Sequence, residues 1–263
     1  RKVRAPALSF PHPPGLSSDS RSAARRAGSR DRNSVGFVTT QTVLGADFNG
    51  DGLPDLPVAS SGVQMLFGST TSPFQIGQNY AVSNVSSLIS GDFNKDGKQD
   101  LIAVQTMGMN TTVQFLRGNG DGTLAMATQI ATTTLDGVPG DYDRDGKLDL
   151  HVSGTFWRGN GDGTFMQGIG SFANAESKAA ADFNQDGALD VVASLSFAKD
   201  ASVYLGKGNG SFQSAGIILT TTDQVTSIAV GDLNKDGLSD IVIGNKPQTG
   251  VAQSIDIYLA SSK

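Results

Sequence analysis

One ten-residue pattern of aspartate, asparagine and glycine occurs five times and carries most of the chemistry of the chain. Its copies are Asp47–Leu56 (DFNGDGLPDL), Asp92–Leu101 (DFNKDGKQDL), Asp141–Leu150 (DYDRDGKLDL), Asp182–Val191 (DFNQDGALDV) and Asp232–Ile241 (DLNKDGLSDI). Each copy places oxygen-bearing side chains at positions 1, 3, 5 and 9, glycine at position 6 and a free carbonyl at position 7. Calcium takes about six to eight hard oxygen ligands, and glycine permits the sharp turn that lets alternate side chains converge. The pattern therefore predicts five calcium loops.

We number these loops one to five in chain order and expect four side chains and one main-chain carbonyl from each to bind the metal. The predicted ligands are Asp47, Asn49, Asp51, the Leu53 carbonyl and Asp55; Asp92, Asn94, Asp96, the Lys98 carbonyl and Asp100; Asp141, Asp143, Asp145, the Lys147 carbonyl and Asp149; Asp182, Asn184, Asp186, the Ala188 carbonyl and Asp190; and Asp232, Asn234, Asp236, the Leu238 carbonyl and Asp240. Every copy keeps its full set, so about five ions are expected, one per repeat.

An EF-hand and a plain turn both fit the pattern less well than this type of calcium loop. An EF-hand shares the first positions but needs a bidentate glutamate at position 12, where this chain has Val58, Ala103, Val152, Ala193 and Ile243. A plain Asx-Gly turn needs only one or two such residues, whereas four recur in phase. The loops hold 16 of the 24 aspartates of the chain, and their mutual repulsion without cations favours metal binding.

Catalytic chemistry has few candidate residues in this chain. The chain has no cysteine and only two histidines, His12 and His151, which excludes disulfides, thiolate zinc sites and a cysteine nucleophile. His151 fills a strand position that is apolar in the other repeats, and no neighbouring motif supplies a nucleophile. We therefore expect no catalytic residues and no enzyme activity.

The elements that position the loops are short strands. Each decapeptide lies between β-branched or apolar runs, and a third run ends in a Gly-Asn-Gly-type turn, as at Val113–Gly122, which is typical of a hairpin. The decapeptides start 45, 49, 41 and 50 residues apart, which is the period of a four-stranded propeller blade. These features predict an all-β fold, a β-propeller of four-stranded antiparallel blades.

The phase of the repeats predicts how the ring closes. The run Gly36–Thr42 precedes the first loop like a fourth strand, whereas Ser254–Leu259 ends the chain as a third strand. Pairing of the N-terminal strand with the last blade would complete five blades and remove the open edge. The alternative is that these repeats form part of a seven-bladed propeller.

The chain divides by charge into two segments. Residues 1–35 carry eight basic and two acidic residues and four prolines, whereas residues 36–263 carry 12 basic and 23 acidic residues. We expect residues 1–35 to be a disordered basic leader or linker, and residues 36–263 to be the five-repeat propeller.

The phrases Gly91–Gly97 (GDFNKDG) and Gly231–Gly237 (GDLNKDG), each inside an apolar frame, resemble the FG-GAP/VCBS repeat family, known from the integrin α-subunit propeller and from secreted bacterial surface proteins. The resemblance covers residues 36–263 and departs from the integrin pattern in having five repeats instead of seven. It implies calcium binding, recognition or adhesion, and a secreted or cell-surface location.

The expected partner is a protein or carbohydrate ligand on the face opposite the calcium loops. The connections between second and third strands lie there and differ most between repeats, as at Gln105–Thr112. We expect no nucleic acid partner, no membrane span and a monomer. A lectin-like carbohydrate-binding propeller is the second hypothesis for function, and a calcium-dependent polysaccharide-degrading enzyme is the third.

Overall fold

The structure is a computed structural model that describes residues 7–9, 45–71, 74–108, 110–131, 137–152, 155–170, 177–195, 198–221, 223–246 and 254–261. The described residues form 19 strands and no helix. Five small sheets stand in a ring, which is the arrangement of a five-bladed β-propeller. The predicted all-β class and the five blades are therefore confirmed.

Each blade follows the chain in strand order. A short N-terminal strand, β1 (Ala7–Ser9), comes before the repeats. The blades contain β2 (Leu56–Ala59), β3 (Val63–Gly68) and β4 (Phe74–Tyr80); β5 (Val85–Gly91), β6 (Asp100–Met107), β7 (Asn110–Leu116) and β8 (Thr128–Ala131); β9 (Gly137–Gly140), β10 (Asp149–Val152), β11 (Thr155–Gly159) and β12 (Phe165–Gly170); β13 (Ser177–Ala181), β14 (Asp190–Ser194), β15 (Asp200–Gly206) and β16 (Phe212–Thr220); and β17 (Gln224–Gly231), β18 (Asp240–Lys246) and β19 (Ser254–Ser261). In the first blade a single bridge between Ala46 and Asp55 stands where the other blades have their first strand.

An N-terminal strand pairs with the last blade, as predicted, and the strand that the structure describes there is β1. The strand beside β19 is β1, with Ala7 opposite Leu259, and the two run parallel, whereas the other described strand pairs are antiparallel. Gly36–Thr42, the strand predicted to close the ring, lies outside the described residues. β1 belongs to the segment 1–35 that we predicted to be a leader, and the rest of that segment is not described. The backbone of the three residues of β1 pairs with the edge of β19 and provides partners for its N–H and C=O groups.

The hydrophobic core lies in the seams between successive blades. Each strand alternates side chains between the two faces of its sheet, so blades that follow one another along the chain bury apolar side chains in the four seams between them. In the seam between the second and third blades, Ile102, Val104 and Val113 are buried against Leu150 and the half-buried Trp157. The tryptophan thus packs between blades.

Candidate metal centres

Each loop turns sharply at two positions. The glycine at position 6 has a positive φ in all five loops, between 78° and 83°. Position 4 is also left-handed, with φ values of 76° at Gly50, 60° at Lys95, 62° at Arg144, 60° at Gln185 and 63° at Lys235. The positive φ of the glycine at position 6 was expected from the sequence. The positive φ at position 4, where four of the five loops have a residue with a side chain, was not expected. These two turns bring positions 1, 3 and 5 to the same side of the backbone.

The first aspartate of each loop is fixed by the backbone that follows it. Its Oδ2 accepts a hydrogen bond from the position 6 amide, as in Gly97 N–H to Asp92 at 2.9 Å and Gly237 N–H to Asp232 at 2.9 Å. In loop one this bond from Gly52 is the largest cause that lowers the pKa of Asp47. This hydrogen bond holds the Asp47 carboxylate in place and favours its ionised form.

Positions 3, 5 and 7 form a chain of Asx turns. In loop five the Asn234 Oδ1 accepts from the Asp236 amide at 2.9 Å, and the Asp236 Oδ1 accepts from the Leu238 amide at 2.9 Å. The Asn234 Nδ2 donates to the Asp236 Oδ2 at 2.9 Å. Loops one, two and four repeat the two contacts with backbone amides. The oxygens of positions 3 and 5 are thus arranged by local backbone contacts before any cation is considered.

Position 9 carries a second function that sequence reasoning missed. Asp55, Asp100, Asp149, Asp190 and Asp240 are fully buried. In the second blade, Asp100 accepts backbone hydrogen bonds from Phe93 at 3.1 Å and from Gly118 at 2.8 Å. The other four blades repeat both bonds, with Ala260 in the place of the glycine in the fifth. This carboxylate ties its loop to the third strand of the same blade.

The glycine at the end of the third strand has a packing reason. A side chain at Gly118, Gly159 or Gly206 would collide with the carbonyl oxygen of Gln99, Leu148 or Leu189, respectively. The recurrent glycine before the hairpin was the sequence signal for this close approach.

Burial changes the acidity of three of the position 9 carboxylates. Burial raises the pKa of Asp100, Asp149 and Asp190 to about 6. Backbone N–H donors oppose this shift, and neighbouring aspartates add to it. A cation bound beside such a carboxylate would favour its ionised form, so the electrostatics of these positions suit a metal ligand.

Loop three brings three predicted ligands together most closely. Carboxylate oxygens of Asp141, Asp143 and Asp149 lie within 4.8 Å of one another, and among the described residues no other group of three acidic or histidine side chains does so. Two ligands of one calcium ion lie at most about 5.2 Å apart, since each is about 2.3–2.6 Å from the metal. The donor set of hard oxygens and its spacing therefore fit calcium.

Loop three also differs in its counter-charges. It alone has aspartate at position 3, and Arg158 contacts Asp143 through Nε at 2.8 Å and Asp145 through Nη2 at 2.9 Å. Lys147 contacts Asp145 at 3.2 Å. Asp145 is thus directed toward these cations and is not in the close group, so the structure does not bring together the full predicted ligand set of this loop.

Contacts between successive repeats hold the loops in a row. The amides of Gly122, Gly163 and Gly210, in the hairpins after the third strands, donate to the position 2 carbonyls of the preceding repeats, Phe48 at 2.9 Å, Phe93 at 3.1 Å and Tyr142 at 3.0 Å. Arg144 of loop three donates to the Asp186 carbonyl of loop four at 2.9 Å. Each loop is therefore positioned by its neighbour as well as by its own sequence.

His151 lies in the core and not in a cleft. It is fully buried, and its ring makes edge contacts with Tyr142 and Phe212. Burial lowers its pKa to about 4, and the charge of Lys178 adds to this shift. A neutral histidine inside an aromatic cluster fits a packing function.

The face opposite the loops is described in part. β6 begins at the loop-two carboxylate Asp100 and ends at Met107, whose side chain is exposed. Met109, Phe197 and residues 247–253 of the corresponding connections lie outside the described residues. Among the described residues there is no helix long and apolar enough to cross a membrane.

Comparison with known proteins gives one family and a shared fold. A family model for the FG-GAP-like repeat matches residues 47–103, 92–152 and 182–243, which include all five loops. No curated protein matches the chain.

The fold is similar to that of BBS1N in crystal structures of its complex with ARL6DN. For the crystal soaked with lead, the sequence identity is 14% and the TM-score is 0.51, and the match covers 85% of this chain and 71% of that chain. For the crystal soaked with mercury, the identity is 10% and the TM-score is 0.45, and the match covers 83% of this chain and 78% of that chain. A Tc holotoxin pore of Photorhabdus luminescens gives 18% identity and a TM-score of 0.40 over 85% of this chain and 12% of that chain. At these identities the likeness concerns the fold alone.

Proposed function

Because the chain belongs to the FG-GAP-like repeat family, we propose that it is a calcium-stabilised propeller, secreted or on the cell surface, that recognises a partner protein and catalyses no reaction. The observation that carries the proposal is the group of Asp141, Asp143 and Asp149, whose oxygens lie within 4.8 Å of one another in a loop of repeated design. About five ions, one per loop, would be bound.

Calcium would act on the folded state itself. When bound, it would neutralise the aspartates that the loops crowd together, and its binding free energy would add to the stability of the propeller. In loop three, Asp141, Asp143 and Asp149 would hold the ion, while Lys147 balances the outer carboxylate Asp145 and Arg158 pairs with both Asp145 and Asp143. The side chains of positions 1, 3, 5 and 9 and the carbonyl of position 7 would serve in the other loops.

The partner surface is proposed on the face opposite the loops. There the blades present connections of different sequence on a rigid frame, which favours recognition. Met107 supplies an exposed apolar side chain on this face, and adaptable methionine is common at binding surfaces. BBS1N, which shares the fold, has been crystallised in complex with ARL6DN, so a propeller of this kind is able to bind a protein.

The calcium part is tested by isothermal titration of the metal-stripped chain with Ca²⁺ and by thermal unfolding with and without a chelator. We expect several ions per chain and a higher melting temperature with calcium. Magnesium serves as the control, because it keeps its waters and fits such loops poorly. An unchanged melting temperature after complete removal of calcium would contradict the stabilising function.

The partner part is tested by capture of extracellular proteins on the immobilised chain, with two matched variants. Met107→Asp changes the proposed surface, and Met166→Asp changes an exposed methionine of similar exposure on the strand after a loop-side hairpin. A true partner is lost with Met107→Asp and kept with Met166→Asp. If both variants keep or both lose the captured protein, this surface is not the binding site.

A further inference from the structure

A groove of about 560 Å³ lies between the outer strand of the first blade and the second blade. β4 and the link after it form one wall, and β6, β7 and the segment after the second-blade hairpin form the other. Its volume is within the range of about 300–1,000 Å³ that is usual for small-molecule sites. The site lies in the side of the ring, apart from the five loops.

The polar lining of the groove consists of primary amides. Gln78 and Asn79 come from the first blade, and Gln105 and Gln114 come from the second. Among the described residues, no hydrogen bond involves the side chains of Gln78, Asn79 or Gln114. Each of these amides offers one acceptor oxygen and two donor hydrogens, so both walls of the groove present donors and acceptors that a ligand could use.

The side-chain amide of Gln114 differs in its contacts from the equivalent amide in the first blade. Gln64 occupies the same place in β3, two residues before the leucine opposite the start of the second strand. Its amide is used inside its own sheet, where it donates to the Gly77 carbonyl at 2.7 Å. Gln114 has the same side chain and lines the groove instead. Packing of the sheet therefore does not account for the Gln114 amide.

Gln105 is a fixed part of the wall. Its Nε2 donates to the Ser83 carbonyl at 2.7 Å, and its Oε1 accepts from the Thr112 hydroxyl at 3.1 Å. These bonds orient the amide and still leave one hydrogen and one lone pair for a ligand. A preorganised amide costs less ordering entropy on binding than a free one.

The rest of the lining is apolar and uncharged. Tyr80, Val82 and Leu116 form a buried floor, and the Tyr80 hydroxyl accepts from the Leu124 amide at 2.6 Å. Met126 lies at the rim and is exposed. None of the lining residues carries a charge. A charged ligand would therefore lose hydration without gaining an ion pair.

We propose that this groove binds a neutral carbohydrate, as a short segment of an uncharged glycan. Sugar hydroxyls both donate and accept, which matches side-chain amides, and the apolar C–H groups of a sugar ring match the exposed apolar lining of Ala81, Met126 and Ala127. Gln105 lies both in the groove and in the connection Gln105–Thr112 of the proposed protein surface, but Met107 does not line the groove, so glycan binding does not depend on Met107.

The experiment is binding of the calcium-loaded chain to an array of neutral and acidic glycans, followed by titration of the best neutral oligosaccharide. We expect neutral glycans to bind and Gln78→Leu and Gln114→Leu each to weaken the affinity at least tenfold. Leucine keeps the approximate size of glutamine and removes its hydrogen bonds. Gln75→Leu is the matched control, since Gln75 lies exposed on the same strand as Gln78 but outside the groove, and Met107→Asp is the control for the protein surface.

Both controls should bind the oligosaccharide with the affinity of the parent chain, and thermal unfolding should show all variants folded. Absence of any neutral glycan on the array, or preference for acidic ones, would overturn the proposal. Equal loss in Gln75→Leu and Gln78→Leu would also overturn it.

Discussion

The second and fifth repeats carry almost the same loop in different surroundings. Their decapeptides begin DFNKDG and DLNKDG, and their backbone turns agree at position 4, with φ of 60° at Lys95 and 63° at Lys235. The side chain at position 2 nevertheless differs in environment. Phe93 is 2% exposed, as are Phe48, Tyr142 and Phe183, whereas Leu233 is 53% exposed.

The difference extends over the sheet face behind the loop. Val113, opposite Val104 in the second blade, is fully buried, whereas Ile255, opposite Gly244 at the same place in the fifth blade, is 68% exposed. Residues of the third blade cover Val113 and Phe93, including Phe165, whose ring meets that of Phe93 at 5.8 Å. The loop conformation is thus local, while burial depends on the next blade.

The largest expected contrast comes from placing a charge on this face. Val113→Asp should cost about 4 kcal/mol or more, or prevent folding, because an unpaired carboxylate would be buried. Ile255→Asp should change stability by about 0.5 kcal/mol or less, because the site is open to water. Urea unfolding of both variants measures the contrast, and equal losses would show that the two faces are equally covered.

The next contrast concerns position 2. Phe93→Ala should cost about 3–5 kcal/mol through a cavity between blades, whereas Leu233→Ala should cost about 1 kcal/mol or less. Denaturant midpoints in calcium give both values. A loss at Leu233 as large as at Phe93 would mean that Leu233 is covered in solution.

The calcium loops should instead behave alike in the two repeats. Asp96→Asn and Asp236→Asn each weaken one proposed ion site, so each should lower stability by about 3 kcal/mol when free calcium is about 100 times the dissociation constant. Without calcium the same variants should differ little from the parent chain. The measurement is thermal unfolding with added calcium and with chelator, and a loss that is independent of calcium would contradict metal binding there.

The smallest contrast between the two repeats is expected at position 9, where the loss of stability should again be shared. Asp100→Asn and Asp240→Asn each place an NH₂ group against a backbone N–H, which leaves a buried donor unpaired at a cost of about 1–3 kcal/mol. In chelator, where the loss of a calcium ligand has no effect, the two losses should agree within about 0.5 kcal/mol, because the backbone bonds are present in both blades. A loss of stability in Asp100→Asn alone would show that the hydrogen bonds of the position 9 carboxylate depend on neighbouring blades.

The features that depend on short-range contacts were predictable from the amino-acid order. The five loops, the strands around them and the hairpins follow from residues within about ten positions of one another, because each repeat is one local unit. In loop two, Asp92, Asn94 and Asp96 accept hydrogen bonds from the next few amides, so spacing alone predicts their arrangement. The blade count follows from the number of such units.

What surrounds each unit depends on how the blades pack in three dimensions. The hydrogen bond between Asp100 and the Gly118 amide joins residues 18 positions apart, and the hydrogen bonds from Arg144 to the carbonyls of Asp186 and Gly187 join two different loops. The sequence places Gln64 and Gln114 at equivalent positions, yet one amide is satisfied in its sheet and the other lines a groove. Nearly identical loops in the second and fifth repeats likewise differ in burial, because packing between blades depends on residues that no single repeat contains.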